Sequence, residues 1–127
     1  MPSRENLDKY IQETYGVTAE FPWLQYPGFA VYRHNNNQKW FAVVMNLSRS
    51  KFGLPDDKTV DAVNLKCDPM LNFSVVDHIG IFPGWHMNKE HWISVLLDGT
   101  VAPEDIYPLI KMSFVLTDKR SKKKKSC

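Results

Sequence analysis

Two runs of β-forming residues separated by three asparagines constrain this chain most. Phe29-Ala30-Val31-Tyr32-Arg33 and Lys39-Trp40-Phe41-Ala42-Val43-Val44-Met45 flank His34-Asn35-Asn36-Asn37-Gln38. β-branched and aromatic side chains suit a pleated, half-buried surface. Asn accepts left-handed backbone angles at little cost, so segment 34–38 predicts a reversal and the two runs an antiparallel hairpin. A lone hairpin is marginal in water, so the remaining residues must supply more strands and something to cover them.

The rest of the sequence offers both. Leu7, Tyr10, Ile11 and Tyr15 recur at helical spacing, with Ser3 as a cap, Glu5 in the first turn and Gly16 as a stop. Residues 17–27 are apolar but broken by Pro22 and Pro27, which predicts a loop with a short edge strand. Residues 48–58 are polar and read as a loop, and Val60–Lys66 as a third strand. Asp68-Pro69 has the form of an N-cap followed by proline at the first helical position, which predicts a short helix to about residue 78. Residues 80–88 read as a loop, His91–Leu97 as a strand and Asp98-Gly99 as the turn that ends it. A last helix starts at Pro103, with Ile106, Leu109, Ile110, Phe114 and Val115 as its apolar stripe and Pro108 as a source of bending. This order predicts an α+β fold, a two-layer arrangement with an antiparallel sheet and helices on one face.

At 127 residues one domain is expected, long enough to bury a core without staples. Two cysteines make no disulfide framework, the first 20 residues are polar, and no apolar run approaches the ~20 residues of a membrane span. A cytoplasmic monomer is the expectation. The net charge of +2 conceals a division. Residues 1–118 hold 10 basic and 14 acidic side chains, a net of −4, whereas 119–127 hold six basic ones and no acid. The sequence therefore predicts a domain over 1–118 and a disordered basic tail over 119–127. It weighs against a compact nucleic-acid module with a basic surface all round.

Standard catalytic patterns are missing: no phosphate-binding glycine loop, no metalloprotease helix, no serine-nucleophile elbow. Cys67 closes an apolar strand, where cysteine behaves as a small buried hydrophobe. His78, His86 and His91 lack zinc-type spacing and a supporting Cys pair, so neither metal nor cofactor is expected. The densest mixture of donors, cation and indoles is Trp85-His86-Met87-Asn88-Lys89-Glu90-His91-Trp92, which could hold an anion or stack on a base.

Several ordered motifs carry a resemblance. Glu20-Phe21-Pro22-Trp23, Lys39-Trp40-Phe41-Ala42, Asn64-Leu65-Lys66-Cys67-Asp68-Pro69, Pro83-Gly84 through Trp92, and Leu97-Asp98-Gly99 resemble the successive motifs of the bacterial MmcQ/YjbR family, over roughly residues 4–117. The resemblance implies a small two-layer domain similar to type III secretion chaperones. It also implies DNA binding through a double wing of hairpins, and it assigns no catalytic residues. Pro108, the extended 46–60 loop and the lysine tail depart from the family pattern. The leading expectation is a non-enzymatic DNA-binding protein that contacts nucleic acid through Arg33, Lys39, Lys66 and Lys89. The alternative is a small-molecule or peptide-binding module built from Lys66, Asp68, His86, Asn88, His91, Trp92 and Asp98. A chaperone-like interaction domain is a third reading, resting on fold analogy alone.

Overall fold

A computed structural model describes residues 4–118. Helix α1 spans Arg4–Tyr15, followed by strands β1 (Ala30–Arg33), β2 (Trp40–Ser48) and β3 (Thr59–Lys66). Helix α2 (Pro69–Val75), strands β4 (Ile81–Pro83) and β5 (Trp92–Leu96), and helix α3 (Pro103–Leu116) complete the order. The five strands form one sheet in the order β1-β2-β3-β5-β4, with every neighbouring pair antiparallel. The α+β expectation stands.

Alternation along each strand sorts side chains between two faces. Tyr32, Phe41, Val44, Val63, Leu65, Ile93 and Val95 meet Leu7 and Ile11 of α1 and Ile106, Leu109 and Ile110 of α3 in one buried cluster. Burying each such large side chain contributes roughly 1.5–3 kcal/mol, which is what fixes two otherwise weak helices to the sheet. Val31, Val43, Met45, Val60, Ala62, Phe82 and Leu96 form a second cluster on the opposite face. Among the described residues no α-helix covers that face. Its cover comes from the 3-10 turn that carries Phe52 and from loops carrying Trp23, Phe29, Leu54, Trp85 and Met87.

A bulge adjusts β2 to this division. Arg33 pairs with Trp40 and Tyr32 with Ala42, leaving Phe41 as the extra residue. Phe41 and Ala42 thus both enter the helix-side core, while Trp40 joins the other face. Ser113 of α3, fully buried, completes the hydrogen bonding there. Its hydroxyl donates to the Phe41 carbonyl at 2.5 Å and accepts the Lys66 amide at 2.8 Å. These are the groups that would meet directly if the Ala42–Leu65 register continued one pair further.

Both sheet edges are closed. At β1, Val31 and Glu20 exchange amide–carbonyl bonds at 2.9 Å. At β4, the outward-facing Ile81 carbonyl accepts from the amides of Asp77 and His78, and its own amide donates to Asp77 Oδ1 at 3.0 Å. The other outward residue is Pro83, which has no amide proton.

Several local expectations need correction. β2 runs on to Ser48 and a 3-10 turn fills Arg49–Phe52, so the 46–60 segment is not one extended loop. The 17–27 segment contributes a single bridge at Glu20 rather than a strand. Helix α2 ends at Val75, not near 78, because the Asp77 carboxylate takes the amides of Ile79, Gly80 and Ile81 and turns the chain into β4. Strand β4 itself lies inside the predicted 80–88 loop. Val115 faces outward, and Ser113 takes the buried place on the last helix. Pro108 sits on the exposed side, and α3 continues through it. Ser3 and the 119–127 tail lie outside the described residues.

Candidate functional site

The loop-covered face of the sheet contains a groove of about 640 Å³. Val43, Met45 and Leu47 of β2 form its floor, with Trp40 beside them. Trp23 and Phe29 from the segment before β1 form one wall, and Trp85, His86 and Met87 from the segment after β4 form the other. The rings interlock edge to face: Trp23 stands 5.5 Å from Trp40 and 6.3 Å from Phe29, and Phe29 lies 6.4 Å from Trp85. Such arrangements are favourable for aromatic pairs and hold the walls apart without filling the space between them.

Backbone fixation makes the Trp85 wall rigid. Its amide donates to Ser94 Oγ at 2.9 Å, and its carbonyl accepts from Asn64 Nδ2 at 3.0 Å. The Ser94 hydroxyl in turn donates to Asn64 Oδ1, and both side chains are buried. A satisfied buried polar group of this kind specifies one arrangement, because each unmade bond is costly. Gly84 permits the approach. A Cβ there would stand 2.6 Å from that of Trp92, closer than real contacts allow. His86 takes a left-handed backbone (φ 58°) and stacks its ring on Trp85 at 3.8 Å.

The structure distributes the sequence-predicted residues over several places. Arg33 lies over the Trp40 ring, 6.0 Å from its centroid, and its Nε is 3.3 Å from Glu20 Oε1 without hydrogen-bond alignment. Lys66 lies over Trp92 at 5.7 Å, and the two are register partners on β3 and β5. Strand alternation places both cation–aromatic pairs at one end of the loop-covered face. Lys39 is exposed at the end of the hairpin turn. Lys89 donates to the Gly84 carbonyl at 2.6 Å, and Asn88 Oδ1 accepts the amides of Glu90 and His91, so these two shape the turn before β5. The His91 carbonyl accepts the Cys67 amide at 2.7 Å. Asp68 caps α2 through the Met70 amide. Asp98 stands apart: it accepts from Thr100 and faces Arg49 Nη1 at 3.5 Å, past the far end of β5. That strand alone separates it from Trp92 by about 13 Å. Of the ligand-site set, only His86 lines the groove.

Trp23, Phe29, Trp40 and Met45 were not singled out as a binding set from the sequence. One signal was present. β2 is apolar on both faces, a pattern of sheets covered on both sides, yet too few helices exist to cover both.

Other chemistry is sparse. Cys67 is buried, and burial, with the neighbouring Asp68 charge, pushes its thiol up and away from the nucleophilic thiolate. Among the described residues, no group of three or more His, Cys, Asp or Glu side chains could hold a metal ion, and no helix is long and apolar enough to cross a membrane.

Comparison with known proteins locates the chain. It is 42% identical over 117 residues to the uncharacterized protein YyaQ of Bacillus subtilis, covering 92% of this chain and 99% of that one. It is 32% identical over 97 residues to the uncharacterized protein YjbR of Escherichia coli, covering 72% and 80%. A crystal structure of a Pseudomonas syringae protein superposes with a TM-score of 0.88 at 42% identity, covering 91% of this chain and 99% of that one. A domain of Deinococcus radiodurans protein DR2400 shares the fold, with a TM-score of 0.70 at 24% identity and coverage of 98% and 88%. The sequence model of the YjbR family matches residues 12–116, and the chain belongs to that family.

Proposed function

We propose that this YjbR-family chain is a non-enzymatic binding module, and that its ligand is a small molecule with a flat apolar body held in the aromatic groove. The observation that carries this reading is a sheet face that no α-helix covers among the described residues, shaped by three tryptophans into a space of about 640 Å³. Ligand sites are typically concave, mostly apolar, roughly 300–1,000 Å³ in volume and edged by a few placed polar groups. The walls are preorganised by Asn64 and Ser94, so little ordering is required on binding. Cys67 is buried outside the groove with its thiol pushed up, so that thiol offers the groove no thiolate. The module works as a cytoplasmic monomer in this reading.

The test is titration of isotope-labelled protein with neutral N-phenyl-1-naphthylamine, followed by the indole N–H signals. Shifts at Trp23, Trp40 and Trp85 support the reading, and their absence at saturating probe refutes it.

DNA binding is the second reading, favoured by one observation: Arg33–Trp40 and Lys66–Trp92 form a cationic and aromatic row at one end of the same face. Rings there can stack on unpaired bases while the cations meet phosphates. The acidic balance of residues 1–118 and the internal pairing of Arg33 and Lys89 weigh against it. Anisotropy of labelled single-stranded and duplex DNA at about 50 mM salt, where phosphate contacts are strongest, decides it. Binding that disappears when the chain is cut after Asp118 assigns the affinity to the basic tail.

A further inference from the structure

We infer that the groove selects an aromatic anion, a flat ring system bearing a carboxylate or sulfonate, whose charge sits at Lys51 and His86. This inference rests on the ligand reading of the groove and adds its specificity. Three observations support it. First, no Asp or Glu lines the groove among the described residues, although acids outnumber bases in residues 1–118. Two carboxylates that bond to lining residues are engaged there. Asp61 accepts from Asn46 Nδ2 at 2.9 Å and lies 3.7 Å from Arg4, and Asp57 is held by the Ser48 hydroxyl at 3.4 Å. Second, Lys51 lines the groove, is exposed, and forms no ion pair among the described residues. Third, His86 presents its ring in the wall that follows β4, where it stacks on Trp85 and its side chain forms no hydrogen bond or ion pair among the described residues.

An apolar slot carrying a cation and a second donor at its rim, with no facing acid, has positive potential at its mouth. A low-dielectric wall strengthens that potential relative to open water. The aromatic body gains contact with Trp40, Trp85 and Met45, and the anion gains a charge-assisted bond from Lys51. A cationic ligand gains the first contact and loses the second, so the site discriminates by charge sign.

The experiment compares two probes of nearly equal shape on the full-length chain, 8-anilinonaphthalene-1-sulfonate and neutral N-phenyl-1-naphthylamine. The anion is expected to bind at least about three- to ten-fold more tightly, the range expected for one partly exposed charge-assisted contact. Lys51→Gln should remove most of that difference and leave the neutral probe unchanged. Raising salt from about 20 to 500 mM should weaken the anion alone, because only its contact is screened. Equal affinities for both probes, or no effect of Lys51→Gln and salt, would overturn the charge assignment while leaving the groove in place. Failure of both probes to bind, or amide shifts confined to residues outside 23–29, 40–51 and 85–87, would overturn the groove as well. Lys51 is exposed and makes no packing contact in either core cluster, so the variant is expected to fold.

Discussion

Replacing Ser113 with alanine removes one oxygen atom and should destabilise the domain far more than a typical serine substitution. The hydroxyl sits where β2 and β3 part, donating to the Phe41 carbonyl at 2.5 Å and accepting the Lys66 amide at 2.8 Å. Both bonds lie under α3, and Ser113 is fully buried. Alanine leaves an orphaned acceptor and an orphaned donor. Each costs about 1–3 kcal/mol when water cannot replace the lost partner, so the expected loss is about 2–5 kcal/mol. Against a total stability of roughly 5–15 kcal/mol this is a large fraction. For a domain of this size it corresponds to a fall of about 8–20 °C in Tm. Urea denaturation followed by circular dichroism measures the loss, with Ser74→Ala on the exposed face of α2 as a control expected to stay within about 0.5 kcal/mol. Hydrogen exchange supplies a local readout, since the Lys66 amide should lose protection in the variant. A loss under about 1 kcal/mol at unchanged m would refute the reasoning. It would mean that the bulge relaxes and lets Phe41 and Lys66 pair directly, so that the serine is dispensable.

Alkaline titration tests the tyrosines. Burial, then the charge and hydrogen bond of Tyr10, pushes Tyr15 from 10.0 up to about 12. Burial, then the hydrogen bond to Asp8, raises Tyr32 too. Both groups keep their protons longer when folded, so their contribution is fully present below about pH 10 and lost as pH rises above it; stability should fall between about pH 10 and 12, and less in Tyr15→Phe and Tyr32→Phe. Asp77 behaves oppositely. Burial alone would raise it, but the amides of Ile79, Ile81 and Gly80 together hold it below its ordinary 3.8. Its contribution is present above that value and lost as the medium is acidified past it, so the stability gap between wild type and Asp77→Asn, kept small by solvent screening of an exposed carboxylate, should close below about pH 4. Gly84→Ala should cost about 1–3 kcal/mol by overpacking against Trp92, and should shift Trp85 fluorescence because the groove wall moves with it.

Local signals carried most of the fold. The asparagine reversal, the Asp68-Pro69 cap and the helical spacing of Leu7 and Ile11 each depend on a few adjacent residues, and each appears where it was expected. What escaped the sequence depends on partners far along the chain. β4 is three residues ending in a proline, and pairing with β5 makes it a strand. Ser113 reads as a polar residue on a helix until Phe41, 72 positions away, presents its carbonyl. The candidate site divided in the same way. Trp40 and Trp85 were visible as aromatics, but their meeting across one face follows from the bulge and from Asn64 and Ser94. Asp98 came from a separate motif but was grouped with the others as one candidate site, and it lies at the opposite end of its strand.

The closed edges determine how copies of this protein can meet. A sheet grows from chain to chain by offering a row of free amides and carbonyls to a new strand, the route that leads to domain exchange and fibrils. Here the Glu20–Val31 exchange occupies one border, and Asp77, His78 and Pro83 occupy the other. Strand addition at the β1 border must first peel away the segment that carries Trp23, and with it one wall of the groove. A molecule held between the walls resists that peeling, so occupancy of the groove should slow fibril growth at elevated temperature as well as raise the melting point.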